Sequence, residues 1–473
     1  MASSVPADLL IITHESIGDK MAGPGIRAWE VARALGKRGV QVILATPFDS
    51  GRQSANVEIR KFSWEEASAL ANLVDQSRVV MAIGPVLTRA IRLLNGPIQK
   101  PTIVDAYYVP EIERILLNLS IGQFDFDPTR AFVDELFVYL RQGDFFICGS
   151  EKQYDFWLGA LLTVGRLNSR TLGIDWTADH LIGRVPLGIP DEPPRAETGL
   201  LKGVIDGIGA HDKVLFWGGG VWDWNDPFTL LEALKRVLAH RDDVRVVFGS
   251  LHHYERKVVP EMSVAARVMQ FVHREGWLGR YVFFQDWVPY DQRASYLLEA
   301  DLGVTLNLRT VENRYAMRAR VLDCLWASLP CILAEGDDSA QLLSQAGLAR
   351  LVLPRDTQGV ADAILQMVGD ENLRARASEQ ARPYAEQLRW SSLVQPIIDF
   401  VSHPQLAPDA EEARGELEKL LPLRREWESL RAENAQLRAE NNSLKVLLEE
   451  FRRRRAVRYA DEAASWLGKI KRQ

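Results

Sequence analysis

The stretch "VLFWGGGVWDWNDPFTLLEALKRV", Val214–Val237, decides how this chain is read. An apolar run of strand type passes directly into Gly218, Gly219 and Gly220, and an apolar pattern of helical period starts near Pro227. Glycines let backbone amides come close to an anionic or sugar ligand, and the N-terminus of the following helix favours negative charge. The same order stands near the start of the chain. There "LLIIT" leads into "GDKMAGPGIRAWEVARAL", with Gly18, Gly23 and Gly25 before a helix expected from about Ile26. Neither loop has the G-x-G-x-x-G spacing, so a nicotinamide cofactor is not supported.

Outward from these two junctions, strand-length apolar runs alternate with helical patterns. "DLLIITH", "VQVILAT", "SRVVMAI", "PTIVDAY" and "GDFFICGS" precede a polar, proline-rich break, "GIPDEPPRAETG", at 188–199. "KVLFWGG", "VRVVFGS", "YVFFQDW", "ADLGVTLNL", "LPCILA" and "ARLVLP" follow it. Such alternation predicts parallel sheets with crossover helices. The chain therefore reads as two α/β halves, 1–195 and 196–402, the second with closing helices. Both glycine turns fall at the carboxyl ends of strands, where open α/β sheets bind ligands, and the two edges can face each other across a cleft.

The totals are those of a soluble protein with real cores: 47% hydrophobic and 25% charged residues. A net charge of −6 gives no global basic field for nucleic acid. Three cysteines, Cys148, Cys324 and Cys331, lie in apolar contexts without metal-ligand spacing, which fits a reducing compartment. The N-terminal "MASSVPADLLIIT" does not read as a signal peptide, and no apolar run approaches the roughly 20 residues that span a bilayer. The expectation is a cytoplasmic protein whose membrane contact, if any, is peripheral.

A third motif, "ENRYAMRARVLDCLWASLPC", Glu312–Cys331, places Arg318, Arg320 and Asp323 at the entrance of an apolar helix. Arginine binds phosphate through paired N–H groups and stays charged. Arg320 and Asp323 are three apart and share a helix face. The carboxylate can accept both hydroxyls of a ribose while the guanidiniums hold a diphosphate. A structural ion pair at a helix start is the competing reading; the two glycine turns favour the ligand. Asp223 and Asp226 in "DWND" do not form a D-x-D, and the adjacent His252 and His253 read as loop residues.

After residue 402 the composition changes. Residues 403–416 read as a linker, and 417–452 carry a heptad pattern. Leu420, Trp427, Asn434, Asn441 and Leu448 occupy position a; Leu423, Leu430, Leu437, Leu444 and Phe451 occupy position d. Glu426, Glu433 and Glu440 at g can meet Arg431, Arg438 and Lys445 at e of a partner, so a parallel homodimeric coiled coil is expected, starting close to Pro422. The basic tail, 453–473, has an apolar stripe through Val457, Ala460, Ala464 and Leu467, with Trp466 and Ile470 beside it. It suits an anionic membrane surface, and equally a solvated helix that continues the dimer.

Taken together these motifs resemble glycosyltransferases of the GT-B fold, close to the large retaining family numbered four. "MAGPGIRAWEVARAL" resembles the acceptor-side glycine loop of bacterial members. "FFICGSEKQYDFWLG", "RVPLGIPDEPP" and "WGGGVWDWNDP" resemble a subgroup of surface-polysaccharide assembly. "FFQDWVPYDQRASYLLEADLGVTL" with "RARVLDCLWASLPCI" resembles the donor half. The likeness covers roughly residues 8–400.

The resemblance implies two Rossmann-like domains facing across a cleft and transfer of a sugar from a nucleotide diphosphate to a glycan or lipid-linked hydroxyl. No metal or other cofactor is implied. It places the donor at Gly219, Gly220, Asp226, Trp287, Val288, Glu312 and Asp323, with Arg318 and Arg320 on the diphosphate. Gly23, Gly25 and Arg27 form the acceptor-side loop, and Asp105 is a candidate contact to the acceptor. Asp323 matches the family's ribose-binding carboxylate. The other acid of that pair would fall at Tyr315, with Glu312 close by as a substitute. The loop of Trp224, Asn225 and Asp226 lacks the cation usual there. These departures motivate an alternative, a catalytically degenerate GT-B protein acting as a coiled-coil scaffold.

Overall fold

In a computed structural model, which describes residues 6–122, 126–196, 199–255 and 262–470, each α/β half forms its own parallel sheet. The first contains β1 (Ala7–Ile12), β2 (Val42–Thr46), β3 (Val57–Lys61), β4 (Ser77–Ile83), β5 (Thr102–Asp105), β6 (Phe145–Cys148) and β7 (Ile182–Arg184), in the order 3-2-1-4-5-6-7. The second contains β8 (Lys213–Trp217), β9 (Val244–Phe248), β10 (Val282–Phe284), β11 (Leu302–Thr305), β12 (Cys331–Ala334) and β13 (Ala349–Val352), in the order 10-9-8-11-12-13. The order reverses between β1 and β4 and again between β8 and β11, and the two glycine turns follow β1 and β8. Both turns thus sit at the switch points where such sheets open a crevice.

Burial on both faces explains why most strands are legible. Leu9, Leu10, Val79, Val80, Val246 and Val247 are all fully buried. The two strands with no sequence expectation, β3 and β7, lie at one edge each of the first sheet. "VEIRK" alternates apolar and charged residues and "IGR" is three residues long, as suits edges that face water and must resist further pairing.

The first helix spans Gly23–Lys37, so it starts three residues before the expected Ile26. Pro24 sits in its first turn, where the missing N–H costs no helical bond. Gly23 and Gly25 are therefore helical rather than loop residues. A Cβ at Gly25 would lie 3.1 Å from the Ser16 carbonyl oxygen, which explains the glycine by close packing. The helix expected from Pro227 runs Pro227–Leu238.

After β13 the chain returns to the first sheet. Ile189 N–H donates to Leu388 O (2.8 Å), Trp390 N–H to Ile189 O (3.1 Å), and Phe400 stacks on Phe145 at 5.3 Å. Residues 403–416, expected as a linker, are instead anchored. Asp409 pairs with the fully buried Arg166 (3.0 Å), and Arg414 pairs with buried Asp144 (2.5 Å). Their polar composition serves buried ion pairs, which composition alone cannot separate from solvated linker.

The chain forms two units, Met1–Arg414 and Gly415–Gln473. One helix, Ala410–Ile470, carries the second. Pro422 lies inside this helix and not in its first turn: the missing N–H removes one bond to the preceding turn, and the helix continues through the loss. Leu423, Leu430, Leu437, Leu444 and Phe451, the d positions, are all exposed. The side chains of Trp427, Arg431, Val457, Trp466 and Ile470, and all of 471–473, lie outside the described residues. Among the described residues no helix is long and apolar enough to cross a membrane.

Candidate functional site

Between the carboxyl edges of the two sheets lies a cavity of about 380 Å³. The first half contributes His14, Glu15, the Met21–Pro24 segment, Tyr107, Tyr108 and Glu113. The second contributes the Gly218–Gly220 turn, the loop of Trp222 and Trp224, Trp287 and Val288, and the start of the helix Ala319–Trp326. The halves meet around it. Tyr290 N–H donates to Asp19 O (2.7 Å) and its hydroxyl to Glu30 (2.5 Å), while Arg52 pairs with Asp291 (3.0 Å) and Lys20 with Asp286 (2.7 Å).

Gly219 has φ +69°, a left-handed conformation that favours glycine. The turn also makes room for a guanidinium: a Cβ at Gly219 would sit 3.5 Å from Arg320 Cζ. Arg320 Nη1 donates to Gly220 O at 2.7 Å. Among the described residues no carboxylate forms an ion pair with Arg320. Withdrawal from water, and then the neighbouring Arg318, lower its pKa to about 9. A cation in this state gains from any anion that enters.

Arg318 differs. It pairs with Glu312 (2.9 Å) and Asp337 (3.3 Å) and donates to Asn313 Oδ1 (3.1 Å). Burial opposes its charge, but the two carboxylates outweigh burial and raise its pKa. Glu312 is accordingly held by Arg318, although both line the cavity. Asp323 Oδ1 lies 3.3 Å from Arg293 Nε. Burial raises the Asp323 pKa against the pull of Arg293. Arg293 itself lies over the Tyr290 ring at 3.7 Å and donates to Tyr290 O at 2.7 Å.

Sequence reasoning placed several residues in this cavity that do line it: Gly23, Gly219, Gly220, Trp287, Val288, Glu312, Arg318, Arg320 and Asp323. Three others have different work. Asp105 and Arg27 bind each other in a buried two-bond pair (2.7 and 2.9 Å), and Arg27 also donates to the carbonyls of Val185 and Pro186. Both are buried, and neither lines the cavity. Asp226 caps the helix Pro227–Leu238, accepting from Thr229 N–H (3.2 Å) and Thr229 Oγ1–H (2.7 Å). These corrections share a cause: a carboxylate at a strand or loop end serves the backbone and nearby cations as readily as a ligand. Tyr315 turns to the first half, its carbonyl accepting from Gln153 Nε2 (2.7 Å) and its ring 5.2 Å from Phe156.

The cavity also gathers residues that the sequence had not assigned to the site. His253 lines it, with rings of Tyr254 (4.5 Å) and Trp287 (5.4 Å) alongside. Trp222 and Trp224 stack at 5.3 Å. Glu15 accepts from the Tyr254 hydroxyl (3.3 Å) and contacts His14 (3.2 Å); burial works against its charge, but His14, His253 and the Tyr254 hydroxyl together outweigh it and the pKa falls. Glu113 projects from the helix Pro110–Ser120. The clustered aromatics in "GVWDW" and "HHY" were the available signal, and only the fold shows that they converge.

No protein-family model matches the chain, and no curated protein matches it. Solved structures do match in fold. Sucrose-phosphate synthase from Thermosynechococcus elongatus is 13% identical with a TM-score of 0.59, over 83% of this chain and 98% of that one. Anabaena HepE in complex with UDP-glucose is 13% identical with a TM-score of 0.56, over 83% and 99%. WaaG, a glycosyltransferase involved in lipopolysaccharide biosynthesis, is 14% identical with a TM-score of 0.55, over 84% and 100%. The two parallel-sheet lobes facing across a cleft are the GT-B fold.

Proposed function

We propose that the chain is a glycosyltransferase that moves a sugar from a nucleotide-diphosphate sugar to a hydroxyl of a glycan or lipid-linked glycan. The observation that carries this is Arg320, a guanidinium that forms no ion pair among the described residues and is held against the Gly218–Gly220 turn, with Asp323 one helical turn away in the same cavity. In the reaction the bond from the anomeric carbon to the diphosphate oxygen breaks, a bond to the acceptor oxygen forms, and the acceptor proton leaves with the diphosphate. Arg320 and the turn's backbone amides would stabilise the charge that develops on the leaving group. Asp323 would accept the ribose hydroxyls, and the Trp287–Val288 turn would meet the nucleobase. No metal takes part in this scheme.

The family resemblance supports retention of configuration, a hexose-like sugar and a role in bacterial surface-polysaccharide synthesis. The exposed leucine seam of Ala410–Ile470 supports a parallel homodimer. The arginines at 452–455, exposed on that helix, support peripheral contact with the inner face of a membrane from the cytoplasm.

One observation favours the scaffold reading: Glu312, the substitute for the missing acid, is engaged by Arg318, and Tyr315 faces away. Calorimetric titration with UDP-, GDP- and dTDP-sugars separates the two. Binding of one class that Arg320→Ala weakens markedly supports the transferase; folded protein that binds none supports the scaffold.

A further inference from the structure

The order of groups along the cavity carries an inference that rests on the donor reading above. Asp323 and Arg320 stand one helical turn apart, and Arg318 with Glu312 follows toward the start of the same helix. A pentose at Asp323 and a diphosphate at Arg320 leave the transferred sugar at the Arg318–Glu312 end. Across the cleft that end meets the helix Pro110–Ser120 of the first half, whose Glu113 lines the cavity.

We propose that Glu113 hydrogen-bonds a hydroxyl of the donor's sugar and so selects a hydroxylated pyranose over the bare nucleotide. The ion pairs of Arg318 go to Glu312 and Asp337, and Glu113 lies within electrostatic reach of the same guanidinium. Among the described residues the Glu113 carboxyl makes no hydrogen bond and no ion pair. Other charged and titratable groups lie around it. On its own helix Glu111 accepts from the Tyr139 hydroxyl (2.9 Å), and Arg114 pairs with Glu135. Tyr107 and Tyr108 precede it, and Glu312 and Arg318 face it. Withdrawal from water, and next the charge of Glu312, push the Glu113 carboxyl up to about 8, Arg318 opposing. At neutral pH the group therefore offers one O–H donor together with acceptor oxygens, which matches a sugar hydroxyl.

The test titrates UDP, GDP and dTDP and their hexose conjugates into wild type, Glu113→Gln and Glu113→Ala, at about pH 6 and about pH 9. Free nucleotide reports any change at Arg320; the ratio of sugar conjugate to free nucleotide reports Glu113. The expected result is a wild-type ratio that falls about tenfold between the two pH values, as a group with a pKa of about 8 ionises. Glu113→Gln, neutral throughout and still a donor, keeps a high ratio at both. Glu113→Ala lowers the ratio about tenfold at the lower pH. Nucleotide binding with a ratio unmoved by Ala, or a pH dependence that persists in Gln, overturns the proposal while leaving the donor reading intact. Failure of every nucleotide to bind overturns both.

Discussion

Arg320 Nη1 donates to the Gly220 carbonyl across 2.7 Å, joining a glycine turn to a helix start one hundred residues further along the chain. Neither feature alone specifies a ligand. Together they place a cation with a depressed pKa against a backbone bend at a sheet's switch point.

Arg320→Ala is expected to weaken nucleotide-diphosphate binding by about 2 kcal/mol, roughly thirtyfold, the usual scale of a charge-assisted hydrogen bond. Its melting temperature should hold or rise, because the variant removes a desolvated charge whose burial and neighbour Arg318 outweigh the pull of Glu312 and Asp323. Titration calorimetry and thermal melting check the pair; equal loss of affinity and stability would make Arg320 a structural residue.

Asp226→Ala removes a helix cap and should cost about 1 kcal/mol of stability. Nucleotide binding should stay unchanged, because Asp226 accepts from Thr229 and does not line the cavity. A binding defect larger than the stability loss would return Asp226 to the donor site.

Arg27→Ala or Asp105→Ala leaves a buried charge without its partner and should cost about 3–5 kcal/mol in denaturant unfolding. Replacing both, Arg27→Met with Asp105→Leu, should recover much of that loss. A double variant as unstable as the sum of the singles would show that the pair is not the reason for the cost.

Stability should fall as pH rises from about 5 to about 8. Burial raises the pKa of Glu111 to about 7 and that of Glu113 to about 8. A raised pKa means the folded state holds the proton more tightly than the unfolded chain. The advantage is complete below the ordinary carboxyl range and is lost as pH climbs through the raised values. Glu111→Gln with Glu113→Gln should flatten this slope in melts recorded across the window.

Leu430→Asp with Leu437→Asp places charges on the exposed seam of the long helix. Sedimentation equilibrium should then report a monomer where wild type is a dimer, with nucleotide binding retained. A wild-type protein that sediments as a monomer would refute the coil.

Most strands, the Gly218–Gly220 turn and the long C-terminal helix were legible because each is a local pattern. Strands buried on both faces form apolar runs, and a helix keeps its period. The strands β3 and β7 were not, since edge strands carry the polar residues that make loops look alike. The chain's return to the first sheet after residue 388 was not legible either, because the contacts that define it join residues some two hundred positions apart.

The sequence by itself determined the α/β alternation, the places where backbone could approach an anion, and the set of charged side chains near them. Only the tertiary structure decided which charges are free for a ligand. Arg27 and Arg320 are both arginines near helix starts, yet among the described residues Arg27 is ion-paired with Asp105, while Arg320 forms no ion pair and donates to the Gly220 carbonyl. The reason is physical: a charge acquires its role from the partners that distant segments bring within about 4 Å, and local pattern does not encode those distances.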